Sequence, residues 1–358
     1  MKKIKYFKLL AGIIMMTLIS CQNEDWSFPD FDYTTTYFPY QSPVRTLILG
    51  NTDQVDNSKD KLLQFSIGVR VGGMYENKKD WTVNYSIDND LVKGLFNATN
   101  DSMKVLPQSY YTLSPLGSLV VPKCSFVGNI NVQLNNSFLD DTLAYRGVYV
   151  IPVKISSSTT DSVLYGKLLP SVLPSLADVR IATQWVVAPK SYTLFGIKFI
   201  NAYHGTYLHR GLDSIKTVPG VFVQKNIYRT NYVETDELWN VKALGRDTVE
   251  ISGTVKRTPS SPGSFSMWLV FNQQNETCSI VSAKKYHKGS TLKTPRFTVA
   301  GTGKFVKSGD SWGGKKRDAI HLKYQITDNT LNEVHFASDT IVIRDRTVKF
   351  ETFTITVK

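Results

Sequence analysis

The stretch Leu63-Gln64-Phe65-Ser66-Ile67-Gly68-Val69-Arg70-Val71 decides the fold class. Successive side chains of an extended chain point to opposite faces. Leu63, Phe65, Ile67, Val69 and Val71 therefore share one face, and polar or small residues take the other. This period of two predicts a half-buried strand, and the Gly72-Gly73 pair after it predicts a turn. The next segment, Trp81-Thr82-Val83-Asn84-Tyr85-Ser86-Ile87, repeats the alternation.

Working outward toward the C-terminus, the apolar runs stay short. Leu119-Val120-Val121, Asn129 to Leu134 and Val148 to Ile155 all read as strands. The helical candidate in this half is Asp90 to Asn97, and its periodicity is weak. Short strands with turns at regular spacing describe a β-sandwich. Beyond Lys190 further strands are predicted at Thr248–Val255, Ser266–Phe271, Cys278–Val281, Phe297–Phe305, Ala319–Ile326 and Asp339–Arg344. Joined as sequential hairpins, they would close an antiparallel β-barrel and remove exposed sheet edges. A second sandwich is the alternative for this half. The fold class is all-β either way.

The chain has 358 residues, enough for two domains. Hydrophobic residues make up 42% and mean hydropathy is -0.17, so real cores are affordable in a water-soluble mature chain. Leu169-Pro170-Ser171-Val172-Leu173-Pro174-Ser175 reads as a hinge. Charge is uneven: from Lys190 onward there are 25 Lys and Arg against 14 Asp and Glu. The basic half suits an acidic partner or simply a solubilising surface. Neither Cys124 nor Cys278 sits in a C-x-x-C pair, so both are expected as unpaired, packed thiols.

Before Cys21, the lysines Lys2, Lys3, Lys5 and Lys8 precede an apolar run from Leu9 to Ile19 that is too short to span a bilayer. Charged start, short apolar core and Ser20 before the cut form a signal-peptide pattern. Leu18-Ile19-Ser20-Cys21 resembles the bacterial lipoprotein box, which implies acylation of Cys21. The following Gln22-Asn23-Glu24-Asp25 resembles the acidic export tag of Bacteroidetes surface lipoproteins, which implies the outer face of the outer membrane.

A second resemblance rests on ordered blocks: Tyr37-Phe38-Pro39 through Gly50, Leu106-Pro107 with Tyr110-Tyr111-Thr112, Val121-Pro122-Lys123, and Tyr149-Val150-Ile151-Pro152-Val153. These resemble an immunoglobulin-like N-terminal domain of unknown function in Bacteroidetes lipoproteins of Sus-like glycan-utilisation systems. Tyr192 to Gly211 resembles the start of a C-terminal domain that often follows it, and Gly301-Thr302-Gly303 looks lipocalin-like. The expected organisation is a signal peptide over 1–20, a lipid-anchored tether over 21–36, an Ig-like sandwich over 37–170, a linker over 171–189 and a lipocalin-like barrel over 190–358.

No catalytic constellation is apparent. Glycoside hydrolysis needs two facing carboxylates, and no spacing presents them. There is no G-x-S-x-G elbow, P-loop or H-E-x-x-H. His204 and His209 are an odd number of residues apart, which on a strand puts them on opposite faces and argues against a metal site. No cofactor is expected. Glycan binding needs only flat rings and polar groups. Trp312, in the loop Ser308 to Arg317, and Trp239 are candidate contacts. So is the cluster Tyr203, His204, Tyr207, His209 and Arg210, although packing of Trp312 over a barrel end, and an internal lock or interdomain contact made by the cluster, are the readings that the sequence favours. Trp268, inside an apolar strand, is expected in the core. Asp followed by Ser or Thr and an aliphatic resembles the O-glycosylation acceptor of exported Bacteroidetes proteins, which makes Ser102, Thr142, Ser162, Ser214, Thr248 and Thr340 candidates. The same pair is also a natural turn exit.

The expected function is a non-catalytic cell-surface glycan-binding lipoprotein, anchored in the outer membrane beside a TonB-dependent transporter complex, with no nucleic-acid partner. The alternatives are an adhesion or structural lipoprotein that binds protein or lipopolysaccharide, and a glycoside hydrolase whose motif is hidden.

Overall fold

A computed structural model describes residues 30–257, 262–283 and 296–358. The signal segment, Cys21 and the acidic step after it lie outside these residues.

The N-terminal part is a two-sheet sandwich. One sheet orders its strands Ser162–Val163, Thr35–Tyr37, Gln64–Gly72, Val127–Leu134 and Tyr111–Ser114. The alternating face read at Leu63 to Val71 turns inward, with Ile67 opposite Ile130 and Phe65 opposite Val132. The facing sheet runs Glu351–Thr352, Pro43–Ile48, Tyr192–Ile200, Tyr149–Ser158, Trp81–Ile87 and Ser118–Val121. Trp81, Val83, Tyr85, Ile151, Val153 and Ile155 from this sheet close the core.

The C-terminal part is a closed eight-stranded antiparallel barrel. Its strands are Gly205–Thr217, Glu237–Ala243, Thr248–Val255, Gly263–Phe271, Thr277–Ser282, Phe297–Trp312, Lys315–Asp328 and Glu333–Asp345. The first and last pair with each other from Thr206↔Asp345 to Thr217↔Glu333, which removes the edge. The other side of Gly205–Thr217 is shared: its first half pairs with Glu237–Ala243 and its second with Phe222–Tyr228. Gly301 allows close approach of neighbouring strands, since a Cβ there would lie 2.3 Å from the Lys323 carbonyl oxygen.

The domain boundary lies later than the sequence suggests. Tyr192–Ile200, expected to open the barrel, pairs with Tyr149–Lys154 inside the sandwich sheet. Its run is apolar on both faces because it is a central strand covered twice. Ile197 and Phe199 enter the sandwich core, while Tyr192 and Leu194 join a smaller core with Leu91, Leu95, Met103 and Val150. The chain leaves for the barrel and then returns. Glu351–Thr352 pairs with Pro43–Val44, and Thr356–Val357 pairs with Leu95–Phe96. The barrel is thus inserted between strands of the first domain.

The expected linker 171–189 is folded as well. Arg180 donates to the carbonyls of Leu91 and Lys93, and Trp185 Nε1 donates to the Asp178 carbonyl. The helical candidate at Asp90 is a short 3-10 turn, Asn89–Val92. Trp268 departs from its expected core position: Met267 and Leu269 are buried in the barrel, whereas the Trp268 indole donates to Glu250 outside that core. Cys124 and Cys278 are unpaired; Cys278 packs in the barrel core, but Cys124 is exposed.

Candidate functional site

The sequence cluster at 203–210 is divided by strand alternation. Tyr203 lies at the barrel end facing the sandwich, stacked on Phe271 with its hydroxyl on Glu276. His204 accepts from the Ala243 amide, and burial together with Arg346 pushes its imidazole down to about 4. Tyr207 is fully buried and donates to the Tyr203 carbonyl. Arg210 pairs with Asp236 at 2.6 Å. Trp312 is tied back rather than presented at a loop tip. Its indole donates to the Ile343 carbonyl, and Arg317 lies over its ring. Among the candidate rings, His209 and Trp239 stack at 3.8 Å inside the barrel.

Around that pair lies a polar interior built by register. His209 is opposite Ile341, Gly211 opposite Asp339, Asp213 opposite Ala337 and Ile215 opposite His335. Two diagonal His–Asp pairs follow from inward-facing alternation on both strands. His209 Nε2 lies 3.2 Å from Asp339 Oδ2, poorly aligned, and His335 Nδ1 lies 2.9 Å from Asp213 Oδ2. Tyr324 donates to Asp339 at 2.6 Å, and its phenol is pushed well up by burial and by Asp339. Asp339 occupies the space beside Gly211, where a Cβ would lie 1.8 Å from Oδ1. The adjoining cavity is only about 20 Å3, enough for a water-sized molecule and too small for a sugar ring. This cluster fills and specifies the barrel. It also gives Asp213-Ser214 and Asp339-Thr340 a structural reason, since both aspartates face inward. Thr340 is engaged too, its hydroxyl 3.0 Å from His321 Nδ1. Ser102 and Thr142 are exposed, while Ser162, Ser214, Thr248 and Thr340 are half-buried.

A larger cleft lies elsewhere, between the sandwich and the segment that returns from the barrel. It encloses about 480 Å3, within the range of small-ligand sites. Exposed Tyr40 and Phe350 stand 5.0 Å apart at their ring centroids, joined from opposite ends of the chain. Phe38 and Phe195 add apolar lining. The polar groups are few. Arg45 pairs with Asp60, which also accepts the Ile48 amide, and burial pushes the Asp60 carboxyl up despite the arginine. The hydroxyls of Thr46 and Thr193, on strands of the second sheet, are buried and have no hydrogen-bond partner. A buried polar atom left alone calls for an explanation. Here both threonines line the cleft.

Sequence reasoning missed this site. The ring run Tyr33, Tyr37, Tyr40 was visible, yet it read as tether and first strand. Nothing in the sequence links Tyr40 to Phe350.

The fold is a two-domain all-β scaffold, a sandwich carrying an inserted barrel. Residues 31–162 match a family model described as an N-terminal domain, and residues 202–347 match the Domain of unknown function (DUF5627). The second match spans the barrel and starts after the sandwich strand Tyr192–Ile200, in accord with the later boundary. The chain is similar to a structural-genomics protein of unknown function from Bacteroides ovatus, known from its crystal structure. Identity is 29%, over 92% of this chain and 100% of that one, with a TM-score of 0.81. A multidomain Bacteroides ovatus protein including DUF1735 is more distant, at 12% identity over 89% and 100% of the two chains, with a TM-score of 0.41. No curated protein matches.

Proposed function

We propose that this protein is a non-catalytic glycan-binding lipoprotein of the cell surface, and that the Tyr40–Phe350 cleft is its binding site. The observation that carries the reading is the pair of exposed rings, Tyr40 and Phe350, lining a cleft of about 480 Å3 that also carries the Arg45–Asp60 pair. Sugar rings offer apolar C–H faces to aromatic rings and hydroxyls to polar groups, so this lining matches both of their surfaces. Binding without hydrolysis is supported by the state of the nearby acids. Asp60 is almost fully buried and held by Arg45 and the Ile48 amide, and Asp56 accepts the Ser58 amide. Neither is poised as a free acid or base across a scissile bond. The lipid anchor at Cys21 confines the site to a membrane surface and raises its effective concentration near a TonB-dependent transporter in the same plane.

A glycan microarray probed with the mature chain tests the reading. The expected result is retention of at least one oligosaccharide class, weakened at least tenfold by Tyr40→Ala. No retained glycan, or equal retention by Tyr40→Ala, overturns it. Release of reducing ends from a polysaccharide panel would revive hydrolysis instead.

A further inference from the structure

Next to the cleft is a second recess, about 230 Å3, at the junction of barrel and sandwich. It shares two segments with the cleft and adds the hairpin residues Ser308 and Lys315 to Asp318. The loop after Gly50 lines the recess with Asn51 to Gln54 and the cleft with Val55 and Asp56. The strand end and returning segment line the recess with Ile343 to Arg346 and the cleft with Val348 to Phe350.

The chemistry of the recess is cationic. Lys315 Nζ and Arg317 Nη1 both reach one carboxylate oxygen of Asp53, at 3.0 and 3.2 Å. Lys316 is exposed beside them. The Arg317 guanidinium lies 4.6 Å from the centroid of the Trp312 ring, and its Nε is buried with no acceptor. Deeper in, Arg346 is satisfied by the carbonyls of Asn51, Ala202 and His204, so it belongs to the domain junction. Two further carboxylates line the recess, Asp318 beside Arg346 and Asp345 beside Arg344, which leaves a lysine and an arginine fork on an indole face answered by the half-exposed Asp53 carboxylate from a loop. An arginine held flat in this way is suited to recognise an oxyanion.

We infer that this recess is an anion subsite for an acidic glycan, in which Asp53 holds the place that a uronate carboxylate or sulfate ester of the ligand takes. Lys315 and Arg317 bind the oxyanion, Trp312 fixes the arginine, and the neutral part of the chain lies in the cleft. The inference rests on the glycan reading for its ligand class and adds the charge requirement. Asp53 acts as a competitor: an incoming anion displaces a weak, solvent-screened ion pair.

The test compares matched neutral, uronate-containing and sulfated oligosaccharides by calorimetric titration at low salt, using the full mature chain. The wild type is expected to bind at least one acidic series about tenfold tighter than the neutral one, with the advantage lost at high salt. Uronate and sulfate arms separate the two anion sources. Arg317→Gln removes the acidic advantage and keeps neutral binding. Asp53→Asn strengthens acidic binding several-fold. Lys225→Gln, a charge change on the exposed outer wall, has no effect. Equal binding of neutral and acidic series, or an acidic advantage that survives Arg317→Gln, overturns the subsite while leaving the cleft standing. Weaker acidic binding by Asp53→Asn also overturns it. Absence of binding by every series overturns both readings. Thermal melts of each variant identify any that fail to fold, and Lys315→Gln then replaces Arg317→Gln in the same comparison.

Discussion

The sandwich cleft and the barrel interior both bury polar side chains, but they treat them differently. In the barrel, His209, Asp339, His335, Asp213 and Tyr324 are placed by strand register so that each lies beside another, although both His209 ring nitrogens, His335 Nε2, Asp213 Oδ1 and Asp339 Oδ1 lack a hydrogen bond among the described residues. The cavity left beside them is about 20 Å3. In the cleft, Thr46 and Thr193 meet nothing, and the volume beside them is about 480 Å3. Buried polarity that is packed side by side with almost no room beside it specifies a fold. Exposed rings beside open volume are what the proposed binding site rests on. The difference is measurable, because removing a partner from the first kind leaves a buried charge alone, whereas removing an unanswered hydroxyl takes away only its desolvation cost.

The largest expected effect follows directly. His335→Ala leaves Asp213 in the barrel wall with only a long bond from the Asn226 amide and should cost about 4 kcal/mol in urea unfolding. A cost below 1 kcal/mol would mean that the pair is not what holds the interior. Gly211→Ala should cost about 3 kcal/mol, since the new Cβ would lie 1.8 Å from Asp339 Oδ1 and 2.7 Å from the Ser338 carbonyl oxygen. Asp339→Asn would not relieve this clash, so the double variant should remain as unstable as the single one.

The junction between the two regions gives an intermediate effect. His204 sits at about 4 in the folded chain, below its ordinary 6.5, because burial and Arg346 disfavour the charged ring. Protonation therefore favours the unfolded chain. This contribution is absent well above pH 6.5 and grows as pH falls toward 4, where it destabilises by about 3 kcal/mol. His204→Gln should flatten that part of the stability–pH curve; an unchanged slope would assign the loss to other groups. The smallest effect is expected in the cleft. Thr193→Val should leave stability within about 1 kcal/mol of the wild type, or raise it slightly, because it deletes an unpartnered hydroxyl. A large loss would show that the hydroxyl is structurally engaged.

What the sequence disclosed and what it hid have physical causes. Half-buried strands such as Gln64–Gly72 and Trp81–Ile87 were legible because one face meets core and the other meets solvent. Tyr192–Ile200 was misplaced because burial on both faces erases alternation, leaving an apolar run that fits either domain. The cluster from Tyr203 to Arg210 looked like one surface in sequence, yet alternation sends Tyr207 and His209 inward and turns Arg210 toward Asp236. Trp312 was singled out for its polar loop, and the backbone acceptor that ties it down, Ile343, could not be read from its neighbours in sequence. The cleft was invisible for a simpler reason. Tyr40 and Phe350 are brought together by the return of the chain after the barrel, which is recorded in the pairing of Pro43–Val44 with Glu351–Thr352 and of Leu95–Phe96 with Thr356–Val357.

The most direct test of the account is hydrogen–deuterium exchange with and without a glycan retained on the array. Slowed exchange at residues 38–48, 193–195 and 348–350, with strands 205–217 and 333–345 unchanged, is the result this account predicts. Slowed exchange in those two barrel strands, with the cleft segments unchanged, would contradict it and move the binding site into the barrel.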